Sequence, residues 1–276
     1  MLKNKELEKY IRNNYKTMTY KEIAKQFANI SHRTVEYYVS QMGLKKGSGY
    51  HRDIADKYKM NNHYFDSINS NVAYILGFIA ADGHIDINRR NRVIVALNQK
   101  DKYILEFIKS EICPLNPIRY IEKTNAVSLE FGGRYIVNKI IELGVDPKKI
   151  NINTLDIIPQ EYVGDFIRGV FDGDGCLSLR YRKRIIKLKN KDKEYESIEP
   201  KFSIVNMSTK LLYDIQNILK TNSIKPDKNT KAYCLSTCNI NKLKYIYNIM
   251  YKNHGFSLLR KTCKFKELFV YKGIII

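Results

Sequence analysis

The sequence lacks the features that direct a protein into a membrane or out of the cell. It contains no long apolar span, no lipidation motif and no amino-terminal signal peptide. Its five cysteines are odd in number, and the closest pair, Cys234 and Cys238, has no second pair at zinc-finger spacing. These absences predict a reduced, cytoplasmic setting without membrane association, and they favour cysteines that act as small apolar side chains over a zinc site.

Acidic residues are scarce relative to basic ones. The 276 residues include 48 lysines and arginines against 28 acids, which gives a formal net charge of +20. The excess is concentrated in residues 180–276, which hold 22 Lys or Arg and 7 Asp or Glu. Because a basic surface attracts polyanions and no membrane signal accompanies it, the charge favours a nucleic acid as the partner.

One short apolar segment occurs twice in the chain. The first copy is Ile75-Leu-Gly-Phe-Ile-Ala-Ala-Asp82-Gly83, and the second is Ile167-Arg-Gly-Val-Phe-Asp-Gly-Asp174-Gly175. Each copy has the spacing of a helix, is too short to cross a bilayer, and ends in an acid followed by glycine. A single repeat over this separation predicts two similar units rather than a solenoid.

Small residues recur four positions apart in each copy, which places them on one helix face. Such a face lets another backbone approach closely. We therefore predict that the two helices pack against each other and that their ends bring Asp82 and Asp174 together. The small residues are Gly77 and Ala81 in the first copy and Gly169 and Gly173 in the second.

Two carboxylates at neighbouring helix ends repel each other, and both face the negative ends of helix dipoles. A divalent cation removes this conflict, and carboxylate oxygens suit Mg²⁺ or Ca²⁺. Paired acids around such metals commonly serve phosphodiester hydrolysis. The alternative is that each Asp-Gly pair only ends a buried helix.

The two copies resemble the motifs of the single-chain LAGLIDADG, or dodecapeptide, homing endonucleases. The resemblance runs from about Phe65 to Phe269. It implies an α+β fold of two pseudo-symmetric αββαββα units with saddle-like antiparallel sheets. It also implies a monomer that cleaves both strands of a long, asymmetric site in double-stranded DNA with Mg²⁺, which Mn²⁺ can replace.

The resemblance also implies roles for individual residues. Asp82 and Asp174 are expected to be catalytic metal ligands, with the backbone carbonyls of Ala81 and Gly173 beside the metal. Gln99 matches a polar position that the family places near the attacking water.

A lysine that the family often has at the end of each unit's last strand is not evident here. Gly132-Gly-Arg134 and Cys238-Asn239 occupy those stretches. Arg134 is one possible substitute and Lys231 is another. A missing base would slow the cleavage of one strand, so nicking of a single strand is an alternative outcome.

The first 45 residues predict a separate helical domain. Residues 1–45 contain three helical segments, and Thr19–Glu22 has the pattern of a capping box. The last two segments resemble a helix-turn-helix unit that would present Arg33 and Tyr37 to DNA. The alternative is a three-helix interaction module. Residues 46–65 are predicted to be a linker.

The rest of the chain is predicted to form two units, residues 66–150 and residues 151–276 with a carboxy-terminal helix. In the second unit, strands are expected near Cys176–Arg182 and Lys201–Asn206, with a long basic loop between them. Basic side chains there could follow DNA phosphates, although a merely solvated loop is the alternative. They are Arg180, Arg182, Lys183, Arg184, Lys187 and Lys189.

The sequence therefore predicts a site-specific DNA endonuclease with a helix-turn-helix module. Two other classes remain open: a DNA-binding regulator or intron RNA maturase that has lost catalysis, and an RNA-processing factor. The presence of both Asp82 and Asp174 favours the nuclease, because a binding protein has little use for either acid.

Overall fold

The computed structural model describes residues 2–15, 18–28, 30–44, 60–88, 90–188, 191–221, 223–227, 230–252 and 255–274. The chain divides into two compact units, Met1–Met60 and Asn61–Ile276. Most of the predicted linker at 46–65 lies outside the described residues, as does Lys189. The same is true of the side chains of Arg184 and Lys187, whose backbone is described.

The amino-terminal unit contains the helices α1 (Leu2–Asn14), α2 (Tyr20–Lys25) and α3 (His32–Gln41). The predicted capping box is present, because the Thr19 hydroxyl accepts the Glu22 N–H at 3.1 Å and the Glu22 carboxylate accepts the Thr19 N–H at 2.8 Å. An apolar cluster joins the three helices. Its buried members are Leu7, Ile11, Ile23, Ala24, Val35 and Val39.

Residues 61–276 contain two successive αββαββα units, as predicted. The first unit forms a four-stranded antiparallel sheet in the order β1-β2-β4-β3. Its elements are α4 (Ser70–Asp82), β1 (Gly83–Asp86), β2 (Arg92–Asn98), α5 (Lys102–Ile112), β3 (Ile118–Ile121), β4 (Ala126–Gly132) and α6 (Arg134–Glu142).

The second unit repeats this arrangement, and its sheet has the equivalent order β5-β6-β8-β7. A further helix, α10, follows it. The elements are α7 (Val163–Asp174), β5 (Gly175–Leu188), β6 (Lys191–Asn206), α8 (Thr209–Leu219), β7 (Ser223–Pro226), β8 (Tyr233–Thr237), α9 (Ile240–Tyr251) and α10 (Leu259–Tyr271).

The helices α4 and α7, which carry the repeated motif, form the centre of residues 61–276. Every residue of α4 from Val72 to Ala81 is buried, because the helix is apolar on all sides and α7 packs directly against it. In the sheets, buried and partly exposed residues alternate, as along β4. Among the described residues, no helix is both long and apolar enough to cross a membrane.

The prediction of a basic loop between Cys176–Arg182 and Lys201–Asn206 is wrong. Strand β5 continues to Leu188 and β6 begins at Lys191, so most of that segment is paired strand. Only Phe202–Asn206 of β6 also pairs with β8, so the rest of the hairpin is a two-stranded ribbon. The dense lysines conceal the strand pattern, because charged side chains on an exposed ribbon give no alternation with apolar residues.

Candidate active site

The close contact between α4 and α7 depends on three glycines. A side-chain carbon on Gly77 would collide with the Phe166 carbonyl oxygen, and one on Gly169 would collide with the Tyr74 carbonyl oxygen. A carbon on Gly173 would likewise collide with the Ala81 methyl group. The predicted small residues therefore lie at the crossing of the two helices, where the backbones touch.

This crossing brings the two motif acids together. Helix α4 ends at Asp82 and α7 ends at Asp174. A side-chain carbon built on Gly173, next to Asp174, would lie 3.4 Å from Asp82 Cγ. Asp82 is exposed and Asp174 is half-buried, so both carboxylates can be reached from solvent.

The electrostatics of the pair differ from those of surface acids. Burial raises the pKa of Asp174 to about 6, and the Asp82 carboxylate adds to the rise. The protein packed around Asp82 also raises its pKa, although the side chain itself remains exposed. The positive charges of Lys149 and Lys261 oppose both rises. The site therefore favours a cation near the two acids.

Lys149 is the first of two lysines at the site. Its ammonium group donates to the Ala81 carbonyl oxygen, at the end of α4. Burial lowers the pKa of Lys149, while Asp174 and Asp82 raise it. Lys149 has a left-handed backbone with φ of 57°. Its loop is held by Asp146, whose carboxylate accepts three backbone N–H groups. They belong to Lys148, Ile150 and Asn151.

Lys261 is the second lysine, and it lies in α10. Its side chain is 4% exposed and donates to the carbonyl oxygens of Phe171 at 2.6 Å, Asp172 at 2.8 Å and Gly175 at 2.6 Å. Burial lowers the pKa of Lys261 to about 8, against the effect of Asp172. Lysine has three N–H donors only when protonated, so these three bonds hold Lys261 as a cation at neutral pH.

Polar support differs between the two acids. Asn206 donates its side-chain N–H to Asp174 Oδ2 at 2.7 Å, and its oxygen accepts the Ser208 N–H. The strand registers pair Gly83 with Val95 and Gly175 with Ile204, so Leu97 occupies in the first unit the position of Asn206. Leu97 offers no hydrogen bond, so the two acids have unequal surroundings.

Gln99 is in the short 3₁₀ turn Gln99–Asp101 that follows β2. Its side chain is exposed, and its backbone N–H donates to the Asn125 carbonyl oxygen at 3.1 Å. Arg134 starts α6, and Lys231 precedes β8; both are exposed. The cations that act on the two acids are instead Lys149, Lys261 and, for Asp82, Arg260.

The two lysines were missed by sequence reasoning for different reasons. Lys149 comes from a loop after α6 whose path only the tertiary fold determines. Lys261 left a signal in the sequence, because it lies on the apolar stripe of α10 that contains Leu258, Phe265 and Leu268. A lysine in the buried stripe of a helix requires buried acceptors, and it marks a candidate site residue.

The donor set fits a magnesium-type cation that shares its ligands with a substrate. Within the described part of the chain, no group of three or more His, Cys, Asp or Glu side chains surrounds a metal position. Mg²⁺ commonly takes one or two protein carboxylates and completes its shell with water and substrate phosphates. Asp82 and Asp174, with carbonyl groups at two helix ends, supply that kind of partial shell.

The predicted DNA-binding residues fall on different surfaces. Arg180 and Arg182 lie on the sheet face opposite the buried Leu177, whereas Lys183 lies on the Leu177 face. Arg182 pairs with Glu199 at 2.7 Å, and Lys183 pairs with Glu196 at 2.7 Å. In the amino-terminal unit, Arg33 and Tyr37 are exposed on α3.

Comparison with known families identifies the class of protein. The LAGLIDADG endonuclease family matches residues 167–271, and the LAGLIDADG-like domain matches residues 69–129. One match falls in each of the two units that the structure shows, and together they include all of α4 and residues 167–174 of α7. The chain therefore carries two LAGLIDADG domains and belongs to the LAGLIDADG homing endonuclease family.

Solved structures share this fold. The I-LtrWI homing endonuclease bound to target DNA has a TM-score of 0.51 at 15% identity, covering 77% of this chain and 92% of that one. I-SmaMI bound to cleaved DNA has 0.51 at 14% identity, with 75% and 91% covered. I-AabMI bound to uncleaved DNA has 0.51 at 13% identity, with 74% and 92% covered. These likenesses establish the fold of two LAGLIDADG units.

A curated relative carries a different description. A probable phosphoenolpyruvate synthase from Methanocaldococcus jannaschii is 28% identical over 177 residues, which are 57% of this chain and 14% of that protein. The chain thus spans a small part of the relative's length, and the synthase description applies to the longer protein.

Proposed function

We propose that this protein is a site-specific endonuclease that hydrolyses both strands of double-stranded DNA with a divalent metal. The observation that carries the proposal is the convergence of Asp82 and Asp174 beside Lys149 and Lys261 at the crossing of α4 and α7. Two acids and two cations in one accessible site match the needs of phosphodiester hydrolysis.

Asp82 and Asp174 would hold the metal, for which we propose Mg²⁺ with Mn²⁺ as a substitute. A bound divalent ion would polarise the scissile phosphate, lower the pKa of water and stabilise the leaving oxygen. The backbone carbonyls of Ala81 and Gly173 are proposed to lie beside it. Because the Ala81 carbonyl accepts from Lys149, metal binding there and this hydrogen bond compete for the same oxygen.

The lysines have different proposed roles. Lys261 gives all three of its protons to backbone carbonyls, so it acts as a fixed positive charge beside the acids. Burial lowers the pKa of both lysines, but Lys149 is described with one bond, to the Ala81 carbonyl, so it is the one proposed to accept a proton from an attacking water. Gln99 is proposed to orient that water.

The proposed substrate is a long, asymmetric DNA site. Arg180 and Arg182 lie on the exposed sheet face of the second unit, where basic side chains would contact phosphates. One chain supplies both acids, so a monomer contains a complete site. The two sheets have different exposed side chains, and they would read different half-sites. Arg33 and Tyr37 are proposed to extend the contact through the amino-terminal unit.

The test is cleavage of a plasmid library containing random inserts, with Mg²⁺ and without it. We expect metal-dependent double-strand breaks at a defined sequence. Asp82→Asn and Asp174→Asn should each abolish them, because each removes a charged metal ligand at nearly constant volume. Asp156→Asn is the matched control, since Asp156 is an exposed acid paired with Lys210 in the second unit.

The control should cut as the wild type does. Tight binding of DNA without breaks under any metal condition would overturn the proposal and favour the regulator or maturase. Breaks that persist in both Asp→Asn variants would place the chemistry elsewhere.

A further inference from the structure

The start of α10 is attached to other elements at every position from Leu258 to Lys261. No side chain of its own segment caps this helix, so its first N–H groups need partners from outside. The Leu258 N–H donates to Asp172 Oδ2 at 2.7 Å, and the Leu259 N–H donates to the Tyr103 hydroxyl oxygen at 2.7 Å. Two of the free donors of α10 are thus satisfied by α7 and α5.

An ion pair strengthens this attachment. Arg260 Nε lies 3.1 Å and Nη2 lies 3.0 Å from Asp101 Oδ2, and the Asp101 side chain is largely buried. Arg260 is more exposed than Asp101, which reduces the strength of the pair but leaves its two-point geometry. Asp101 and Tyr103 belong to the first LAGLIDADG unit, and α10 follows the second, so the start of α10 bridges the two LAGLIDADG units.

Asp172 connects this bridge with the helix crossing. It is 2% exposed, and the oxygen that accepts the Leu258 N–H also accepts the Tyr74 hydroxyl at 2.9 Å. Tyr74 lies on α4, so one carboxylate links α4, α7 and α10. A carboxylate at a helix start is favoured by the helix dipole. The equivalent position in α4 is Ala80, so this link exists in one unit.

We propose that the contacts of Asp172, Tyr103 and Asp101 with residues 258–260, here termed the α10 clasp, position Lys261 against the acids. Lys261 follows the clasp directly, and its ammonium reaches the end of α7 only if α10 starts where it does. Asp101, Tyr103 and Asp172 are thus positioning residues for the reaction, and none of them touches the substrate. The inference rests on the proposed nuclease function.

Tyr103→Phe is the sharpest test, because it removes one hydroxyl and changes neither charge nor ring packing. At saturating enzyme, we expect the single-turnover cleavage rate to fall about tenfold, as for a displaced catalytic group. The same substitution in a Lys261→Met background should cause no further loss, since the clasp acts through Lys261. Arg260→Gln should lower the single-turnover rate in the same way, again without further loss in the Lys261→Met background. Arg260→Lys should recover part of the rate.

Tyr135→Phe is the matched control, because Tyr135 is a tyrosine of the same unit whose hydroxyl donates to Asp66 instead of holding α10. It should cut at the wild-type rate. Additive losses from Tyr103→Phe and Lys261→Met, or a Tyr103→Phe rate equal to wild type, would overturn the inference while leaving the nuclease function intact. A wild-type protein that does not cleave any DNA would overturn the proposed function itself.

Discussion

The two LAGLIDADG units share their backbone plan and their acid, but the side chains that support the acid come from different elements. The first unit brings Lys149 from a loop, and the second brings Lys261 from α10. The first unit has Leu97 where the second has Asn206. The comparison shows that close helix packing restricts the motif tightly, whereas the supporting side chains can come from any element that reaches the site.

The outer sheet faces differ in the same way. In the first unit, Arg92 pairs with Asp86 and Glu130, and Arg119 also approaches Glu130, so the described charges balance. In the second unit, the outer face carries exposed basic residues with fewer described acids. These residues are Arg180, Lys201 and Lys225, whereas Arg182 on the same face pairs with Glu199. The outer face of the second unit is therefore the more positive of the two.

The largest expected effect comes from the feature that the units share. Gly77→Leu or Gly169→Leu places a branched side chain where the backbones of α4 and α7 touch, and no rotamer avoids the collision. We expect either variant to lose cooperative thermal unfolding. Gly255→Ala is the control, because a carbon there meets only Asn71 Oδ1 at 3.6 Å. A well-folded Gly77→Leu protein would contradict the tight crossing.

The two lysines are expected to differ in their effect on stability more than on rate. Lys149→Met and Lys261→Met should each reduce cleavage by about a hundredfold, as for the loss of one preorganised charge or proton acceptor. Lys261→Met removes one donor from three carbonyl oxygens at the end of α7, of which that of Phe171 also accepts the Gly175 N–H, and each carbonyl left unsatisfied costs about 1–3 kcal/mol. Lys149→Met affects one carbonyl.

Urea unfolding and single-turnover cleavage of the same preparations separate the two effects. Lys261→Met should lower the unfolding midpoint clearly, and Lys149→Met should lower it little. Equal midpoints for the two variants would mean that the helix-borne lysine does not stabilise the end of α7, against the contacts described above.

Sequence patterns predicted the shared parts of the two units better than the parts that differ. The motif helices and their acids were evident because an apolar run with small residues at fixed spacing fixes both helix and packing face. The hairpin of β5 and β6 was misread, because lysine-rich strands have no apolar alternation. Lys149 could not be assigned, because its contact with α4 depends on tertiary folding, whereas the position of Lys261 on the apolar stripe of α10 was a signal that sequence reasoning missed.

The unequal hydrogen bonding of the acids predicts a change in pH dependence. The hydrogen bond from Asn206 stabilises the charged form of Asp174. It therefore opposes the rise in pKa that burial causes, and the resulting pKa of Asp174 is about 6. Asn206→Leu, which copies the first unit, should raise that pKa further. Because metal binding needs the carboxylate, the acid limb of the cleavage profile should move to higher pH, with little change at pH values well above it.

The higher pKa of Asp174 should also change how the stability of the protein depends on pH. When the pKa of an acid is higher in the folded protein than in the unfolded chain, the free energy of unfolding falls as the pH rises from about 4 towards the folded pKa. In Asn206→Leu this fall should extend to higher pH. Leu97→Asn is the reciprocal variant, and a bond to Asp82 would shift its acid limb to lower pH. Unchanged profiles for Asn206→Leu would show that the amide does not set the protonation of Asp174.

The smallest expected effects test the contrast between the two sheet faces. Lys201→Gln and Lys225→Gln each remove an exposed charge from the outer face of the second unit. If each contacts one phosphate, the slope of log affinity against log salt should fall by about 0.9 per substitution. Arg92→Gln should change the slope little, because Asp86 and Glu130 already neutralise Arg92. Affinity measured in a metal-free titration over several salt concentrations decides this, and equal slope changes at Lys201 and Arg92 would mean that both sheets contact phosphates equally.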